Sequence, residues 1–193
     1  SSRACPTQRA LLVRPIVKCV SITPDNKNWT WVLERPCPDC AFDAETIANR
    51  DIGMIIRDIA SQWEVVLFHP QVRQRPLPNV WSPLEYGCHV RDVFRLFDMR
   101  LDLMLSLDQP TFDNWDQDAT AITERYDRQD PHTVRRELAT SGDMLADRFD
   151  AVSGSEWRRV GFRSDGAQFT VESFGRYLLH DPIHHLWDVA HIF

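Results

Sequence analysis

The sequence predicts an all-α protein, a four-helix bundle, on three observations. Apolar residues recur at three- and four-residue steps over about residues 44–68, and the same spacing returns in three later segments. Residue patterns typical of helix N-termini precede the later segments. A connection at 109–129 joins the second segment to the third, and it is long enough for neighbouring helices to run parallel. The simple up-down-up-down order is therefore not required.

Composition and charge argue against several classes of function. Among the 193 residues, 43% are hydrophobic and 26% are charged, an ordinary globular balance. The net charge of −6 argues against nucleic-acid binding, because neutralising phosphates needs a basic surface. No apolar run approaches the roughly 20 residues that span a bilayer, so we expect no membrane partner. The five cysteines are odd in number and scattered, and the start lacks a signal-peptide core, so we expect a cytoplasmic protein.

The chain divides into an N-terminal segment, 1–43, and a helical domain, 44–193. The segment is predicted to be irregular, with short β-rich runs at Leu11–Val13 and Trp29–Leu33. A proline-rich turn that contains Cys37 and Cys40 follows these runs.

The first two helices are predicted from periodicity and caps. The first covers about 44–68, with Asp43 as its N-cap. The second starts at Ser82, where Pro83 takes the first helical position and Glu85 closes a capping box. It should run to about Leu107.

Two later helices carry similar signals. Asp130-Pro131 opens the third helix, and Gly154 lies just past its end. Thr170 caps the fourth helix. The stretch 156–169 alternates around Ser164-Asp165-Gly166, which predicts a small hairpin before the fourth helix.

Two histidines on the fourth helix could bind a metal ion. His180 and His184 lie about 40° apart at the helical period, so their imidazoles can converge on one ion. Pro182 stands between them and removes one helical hydrogen bond. His185 lies about 140° from His180 and is expected to point elsewhere.

His89 completes the predicted set of metal ligands. It lies in the first turns of the second helix on the arc of apolar Val93, an inward-facing position. With His180 and His184 it makes three nitrogen ligands, which leaves room for water or substrate. Asp188, one turn after His184, is a candidate hydrogen-bond partner of a ligand. No residue stands out as a general base, so the catalytic residues stay unknown.

The pair Cys37 and Cys40 has the spacing of a redox dithiol. No βαβ pattern follows it, however, and a thioredoxin fold needs one. A structural zinc ion needs a second ligand pair, and the remaining cysteines are not spaced as one. Cys88 is rotated away from His89 and is interpreted as a packed thiol. The role of the pair is left open.

Three stretches carry a family resemblance: Trp81–Val90 around His89, Asn114-Trp115-Asp116, and His180–Leu186. With them the sequence resembles the DinB superfamily, which includes mycothiol-dependent maleylpyruvate isomerases and bacillithiol S-transferases. The resemblance spans about residues 44–193. The N-terminal segment, with Trp29-Thr30-Trp31, looks like that of actinobacterial members.

The resemblance implies an up-down-down-up bundle. It also implies a divalent metal ion, zinc or nickel, bound by His89, His180 and His184. A pocket beside the ion would take a low-molecular-weight thiol, with mycothiol or a related compound as cofactor.

We therefore expect a metal-dependent enzyme of the thiol-dependent S-transferase or isomerase type. The metal would lower the pKa of a bound thiol or water and so supply a nucleophile at neutral pH. The expected partners are a small-molecule thiol or electrophile, and a second copy of the chain in a homodimer is compatible with the sequence. The alternative is a non-catalytic helical protein with a structural metal ion or with histidines that merely pack.

Overall fold

A computed structural model describes residues 22–24 and 28–192. Within this part of the chain, four long helices form a bundle, a fifth short helix lies in a connection, and three short strands form a sheet. The helices are α1 Ile52–Leu67, α2 Pro83–Ser106, α3 Gln117–Thr123, α4 Pro131–Ala151 and α5 Val171–Ala190, and the strands are β1 Thr111–Phe112, β2 Val160–Arg163 and β3 Gln168–Thr170. The predicted four-helix bundle is confirmed.

Contacts between helices define the direction in which each one runs. Near its start, α2 pairs Arg91 with Glu137 near the start of α4 (2.9 Å). Near its end, α2 pairs Asp98 with Arg148 near the end of α4 (2.6 Å). The two helices are therefore parallel, which the long connection between them allows.

The other two helices run in the opposite direction. Arg57 early in α1 pairs with Asp150 at the end of α4 (2.8 Å), so α1 and α4 are antiparallel. Trp63 near the end of α1 donates to the Pro182 carbonyl late in α5 (3.2 Å), so these two helices are parallel. The order is up-down-down-up, as the family resemblance implies.

The caps that the sequence predicts are present. Ser82 and Glu85 form the capping box of α2, with the Ser82 N–H donating to the Glu85 carboxylate over 2.8 Å. Asp130 accepts from the Thr133 N–H over 2.9 Å at the start of α4. Thr170 caps α5, which continues through Pro182 to Ala190.

Two of the three strands of the small sheet, β2 and β3, lie between α4 and α5 in the chain. Strands β2 and β3 form the predicted hairpin, and their turn contains Gly166 at a φ of +95°, which favours glycine. Strand β1, in the connection 109–129, pairs with β2 in parallel. The sequence did not predict β1, because two residues are too few to show a period.

One predicted element type and one predicted helix boundary are wrong. The run Trp29–Leu33 is a 3-10 helix rather than a strand, because the Asn28 side chain accepts from the Thr30 N–H and turns the chain. Helix α1 begins at Ile52 rather than at 44, and short 3-10 turns precede it. Asp43 caps the first of these turns instead of the helix. The run Leu11–Val13 lies outside the described residues.

The described end of the N-terminal segment packs against the bundle. The 3-10 helix Trp29–Leu33 contacts α5, and Cys37 and Phe42 are buried in the same apolar core as the bundle helices. The turn with the two cysteines is thereby placed beside α5. Among the described helices, none has the length and apolar character needed to cross a bilayer.

Candidate metal centres

Two clusters of metal-ligating side chains lie on neighbouring faces of α5. The first, called the carboxylate cluster here, consists of His89, Asp181 and His185. His89 comes from the second turn of α2, and the other two come from successive turns of α5. The three side chains offer ligand atoms that all lie within 4.8 Å of one another.

The distances in the carboxylate cluster suit a small divalent ion. Nε2 of His89 is 3.2 Å from Oδ1 of Asp181, and Nε2 of His185 is 3.9 Å from the same oxygen. Nitrogen and oxygen ligands at about 2.1 Å from a tetrahedral ion lie about 3.4 Å apart. The observed spacings lie on both sides of this value, so small side-chain rotations would complete the geometry.

Asp188 orients one of these ligands. Its Oδ2 is 2.8 Å from Nδ1 of His185, one turn along α5. A carboxylate at Nδ1 keeps the proton there and leaves the Nε2 lone pair facing Asp181. Asp188, predicted as the partner of a ligand, thus contacts His185 closely, whereas Nε2 of His184 is 4.0 Å from it.

Aromatic rings enclose the carboxylate cluster. Trp115 stacks on His89, with ring centroids 5.3 Å apart and planes 3° from parallel. Its indole N–H donates to Thr120 over 2.8 Å, which holds the ring in place. The Tyr86 ring of α2 lies 4.9 Å from the His185 ring of α5. The His89 side chain is fully buried as a result.

The charge state of Asp181 suits a metal ligand. Burial alone would raise its pKa, but the charge of His89 and the hydrogen bond to it lower that pKa to about 2. Asp181 is therefore an ionised carboxylate at neutral pH.

A cavity of about 920 Å³ opens beside the carboxylate cluster, and Asp181 and His185 form part of its wall. This is near the upper end of the range for small-molecule sites, about 300–1,000 Å³. The cavity has room for a substrate of considerable size next to the cluster. Other lining residues include Trp29, Arg100, Trp115, Arg163 and Tyr177.

Two arginines of the cavity wall differ in their pairing. Arg163 forms an ion pair with Asp165 (2.8 Å) and donates to the Tyr177 hydroxyl (3.1 Å). Arg100 is only 4% exposed; it donates to the Asp113 carbonyl and stacks over Phe112, while its Nε is buried without a partner. Burial and the nearby Arg163 lower the pKa of Arg100 to about 10, so it stays charged at pH 7.

The second group, called the cysteine cluster here, consists of Cys37, Cys40, His180 and His184. Sγ of Cys37 is 3.6 Å from Nδ1 of His184. The rings of His180 and His184 are 5.1 Å apart. The turn after the 3-10 helix supplies both sulfurs, and α5 supplies both imidazoles.

Cys37 and His180 of the cysteine cluster are buried, and His180 and His184 also form part of the wall of the cavity. Cys37 is 1% exposed and His180 is 3% exposed, and the Trp29 ring lies 5.1 Å from both histidine rings. Burial lowers the pKa of His180 to about 4, so its imidazole is neutral at neutral pH. Burial also raises the pKa of the Cys40 thiol to about 11.

The structure divides the predicted histidine set between the two clusters. His180 and His184 lie together, but beside the two cysteines. His89 lies beside Asp181 and His185. His185 was not part of the predicted set because of its angle to His180, and the same angle places it in the other cluster.

Two signals could have revealed the missed residues. Asp181 and His185 repeat the spacing of His180 and His184 one residue later, so α5 carries two ligand pairs about 100° apart. The other cysteines offer no second ligand pair for Cys37 and Cys40, but a His-x3-His pair such as His180 and His184 is an equally common partner in zinc sites.

Comparison with known proteins agrees with this fold. The family model of the DinB superfamily matches residues 69–189, more than half of the chain. The chain therefore belongs to the DinB superfamily, which confirms the resemblance seen in the sequence.

Among solved structures, the chain is similar to YfiT from Bacillus subtilis, described as a probable metal-dependent hydrolase with an unusual four-helix bundle topology. The TM-score is 0.66 at 15% identity, over 76% of this chain and 90% of YfiT. No curated protein sequence matches the chain. The actinobacterial character of the N-terminal segment stays a prediction.

Proposed function

We propose that the protein is a metal-dependent enzyme of the thiol-transferase type, with its divalent ion, zinc or nickel, bound by His89, Asp181 and His185. The observation that carries the proposal is the convergence of these three side chains, from two helices, with Asp181 and His185 in the wall of a 920 Å³ cavity. Of the ligand set predicted from sequence, the proposal keeps His89 and replaces the other two residues with their neighbours on α5.

The donor set is that of a catalytic site. Two imidazoles and one carboxylate leave at least one coordination position for a substrate, whereas structural sites use four protein ligands. When bound, the ion supplies Lewis acidity and favours the deprotonated form of a coordinating thiol or water. A dication on this donor set retains one net positive charge, which favours an anionic substrate group such as a thiolate.

The surrounding residues hold the ligands and limit access of water. Asp188 fixes the orientation of His185, and Trp115 covers the His89 ring while forming part of the cavity wall. A ligand that is held in place before the ion binds loses little freedom on binding, which favours high metal affinity.

Arg100 indicates the kind of substrate. It is a buried cation whose described contacts include no carboxylate, and it lines the same cavity as the ligands. An anionic group of the substrate would form a charge-assisted hydrogen bond there. We propose a small electrophile with a carboxylate or similar anion, together with a low-molecular-weight thiol such as mycothiol, as the family suggests. A cytoplasmic location and a homodimer remain part of this proposal.

Metal analysis and turnover assays test the proposal together. Protein purified without an affinity tag is analysed for bound metal and assayed with low-molecular-weight thiols and carboxylate-bearing electrophiles. We expect thiol consumption that the His185→Ala variant loses together with a metal ion. The matched control is His132→Ala, which changes an exposed histidine outside both clusters.

Other outcomes would contradict the proposal. Ester or amide cleavage without a thiol would indicate hydrolysis, the activity ascribed to YfiT. Bound metal with no turnover of either kind would favour the non-catalytic alternative. Unchanged metal content in His185→Ala would exclude the proposed ligand set.

A further inference from the structure

We propose that Cys37, Cys40, His180 and His184 form a second metal site, a closed tetrahedral zinc site that fastens the N-terminal segment to α5. The site is separate from the carboxylate cluster, although both draw ligands from the same helix. Its role is structural.

The ligand atoms of the cysteine cluster lie at, or slightly beyond, the distances expected around a bound zinc ion. Around tetrahedral zinc, with Zn–S near 2.3 Å and Zn–N near 2.0 Å, sulfur and nitrogen ligands lie about 3.5 Å apart. Sγ of Cys37 and Nδ1 of His184 are 3.6 Å apart. All four ligand atoms lie within 4.8 Å of one another. Closing the shell therefore needs movements of about an ångström at most, which side-chain rotations supply.

The spacing of the ligands along the chain agrees with a zinc site. A Cys-x2-Cys pair and a His-x3-His pair are the usual halves of a four-ligand Cys2His2 site. In this chain 147 residues separate Cys37 from His184, so the two halves meet only through the fold. The sequence interval is far outside that of a zinc-finger module.

Backbone hydrogen bonds shape the turn that carries both thiols. The Ala41 N–H donates to the Cys37 carbonyl over 2.9 Å, and the Cys37 N–H donates to the Phe42 carbonyl over 2.8 Å. Ala41 has a φ of +59°, in the left-handed region that non-glycine residues adopt only when the surroundings enforce it. This compact turn directs both sulfurs towards α5.

An unpartnered buried atom points to a missing ligand. Nε2 of His180 is buried and has no hydrogen-bond partner. A buried polar atom without a partner is costly, and native proteins rarely leave one without water or an ion. His180 is enclosed by Trp29, Trp31 and Phe42, so the imidazole lies among rings that cannot accept a strong hydrogen bond.

Charge balance explains why such a site can be buried. Two thiolates and two neutral imidazoles neutralise the charge of a Zn²⁺ ion, so the completed site carries no net charge. A neutral site costs much less to bury than a charged one. Four protein ligands also leave no coordination position open, which distinguishes this site from the carboxylate cluster.

Cobalt substitution provides a direct test. Co²⁺ bound to thiolates absorbs through sulfur-to-metal charge transfer, whereas Co²⁺ on nitrogen and oxygen ligands does not. We expect this absorption in wild-type protein loaded with Co²⁺ and its loss in the double variant Cys37→Ser/Cys40→Ser. The matched control is Cys88→Ser, which removes a buried cysteine outside the cluster and should keep the absorption.

The same experiment separates this site from the proposed catalytic site. His185→Ala should keep the sulfur-to-cobalt absorption while losing turnover. Wild-type protein loaded with Co²⁺ that lacks the absorption, or a double variant that retains it, would overturn the structural site without affecting the proposed function.

A measurement on the wild-type protein covers the case in which the double variant does not fold. Alkylation of Cys37 and Cys40 is followed by mass spectrometry, with zinc bound and after chelation. Because zinc-bound thiolates are shielded, we expect chelation to speed alkylation by about tenfold or more. Equal alkylation rates in the two states would contradict the site.

Discussion

Asp188 and His185 lie one turn apart on α5, with the Asp188 carboxylate 2.8 Å from Nδ1 of the imidazole. This contact holds the imidazole proton on Nδ1 of His185, and Nε2 lies 3.9 Å from Oδ1 of Asp181. A half-buried residue of the last helix thereby orients a candidate ligand at the cavity wall. The relationship is the basis of the first prediction.

Replacing Asp188 with asparagine should weaken metal binding without removing a ligand. The loss of the carboxylate allows the His185 ring to rotate and lowers the basicity of Nε2, and the expected effect is about 10- to 100-fold in metal affinity. Competition with a chromophoric chelator measures it. Asp147→Asn, at an exposed position of α4, is the control. Equal affinities of Asp188→Asn and the wild type would show that the hydrogen bond has no role in metal binding.

Substitutions at the neighbouring residues Asp181 and His180 distinguish the proposed ligand set, which contains Asp181, from the set predicted from the sequence, which contains His180. If Asp181 is a ligand, Asp181→Asn should reduce kcat/KM by about 100-fold or more, because it removes both a ligand and a charge. His180→Ala should mainly lower thermal stability through the cysteine cluster. The measurements are turnover and thermal unfolding of both variants. The opposite pattern would favour the histidine set predicted from the sequence.

Arg100 should matter more for substrate binding than for folding. It is a buried cation without a described carboxylate partner, so Arg100→Met removes a desolvation cost along with its contacts to Asp113 and Phe112. We expect a change in unfolding free energy within about 1 kcal/mol and a loss of about 10- to 100-fold in kcat/KM for anionic substrates. Denaturant unfolding and kinetics measure the two effects. Equal losses for anionic and neutral substrates would contradict the role.

Glu85 makes the start of α2 sensitive to acid. Burial alone would raise its pKa, but hydrogen bonds from Arg75 and Ser82 lower it below the usual 4.5. Because the folded pKa lies below the unfolded one, ionised Glu85 stabilises the fold above about pH 4.5, and this stabilisation is lost as the pH falls through the folded pKa.

The Glu85→Gln variant tests this dependence. Its free energy of unfolding at pH 7 should be about 1–3 kcal/mol lower than that of the wild type, because a buried charge-assisted hydrogen bond is lost. The difference from the wild type should narrow as the pH falls below 4.5. Urea unfolding at a series of pH values measures it. A difference that does not change with pH would contradict the assignment.

Much of the fold could be predicted because its signals are local. The Ser82 and Glu85 capping box and the cap at Thr170 each involve residues three positions apart, so the chain itself shows them. The predicted strand at Trp29–Leu33 failed because its aromatic and β-branched residues favour strands only where another strand pairs with them. In the structure these side chains pack against α5 instead.

The candidate metal residues could be predicted only in part. Spacing on α5 showed that His180 and His184 share a face, and that His185 lies on a different one. It could not show what each face contacts. That depends on α2, which brings His89 to Asp181, and on the N-terminal segment, which brings Cys37 to His184.

The sequence by itself determined the helical class, the caps of the later helices, and the histidines that could bind a metal ion. Only the tertiary structure decided how those histidines are grouped: two with Cys37 and Cys40, and His89 with Asp181 and His185. The physical reason is the distance along the chain over which each kind of interaction acts. A helical period and a cap act over a few residues, whereas a metal site needs atoms within a few ångströms that lie far apart in the chain.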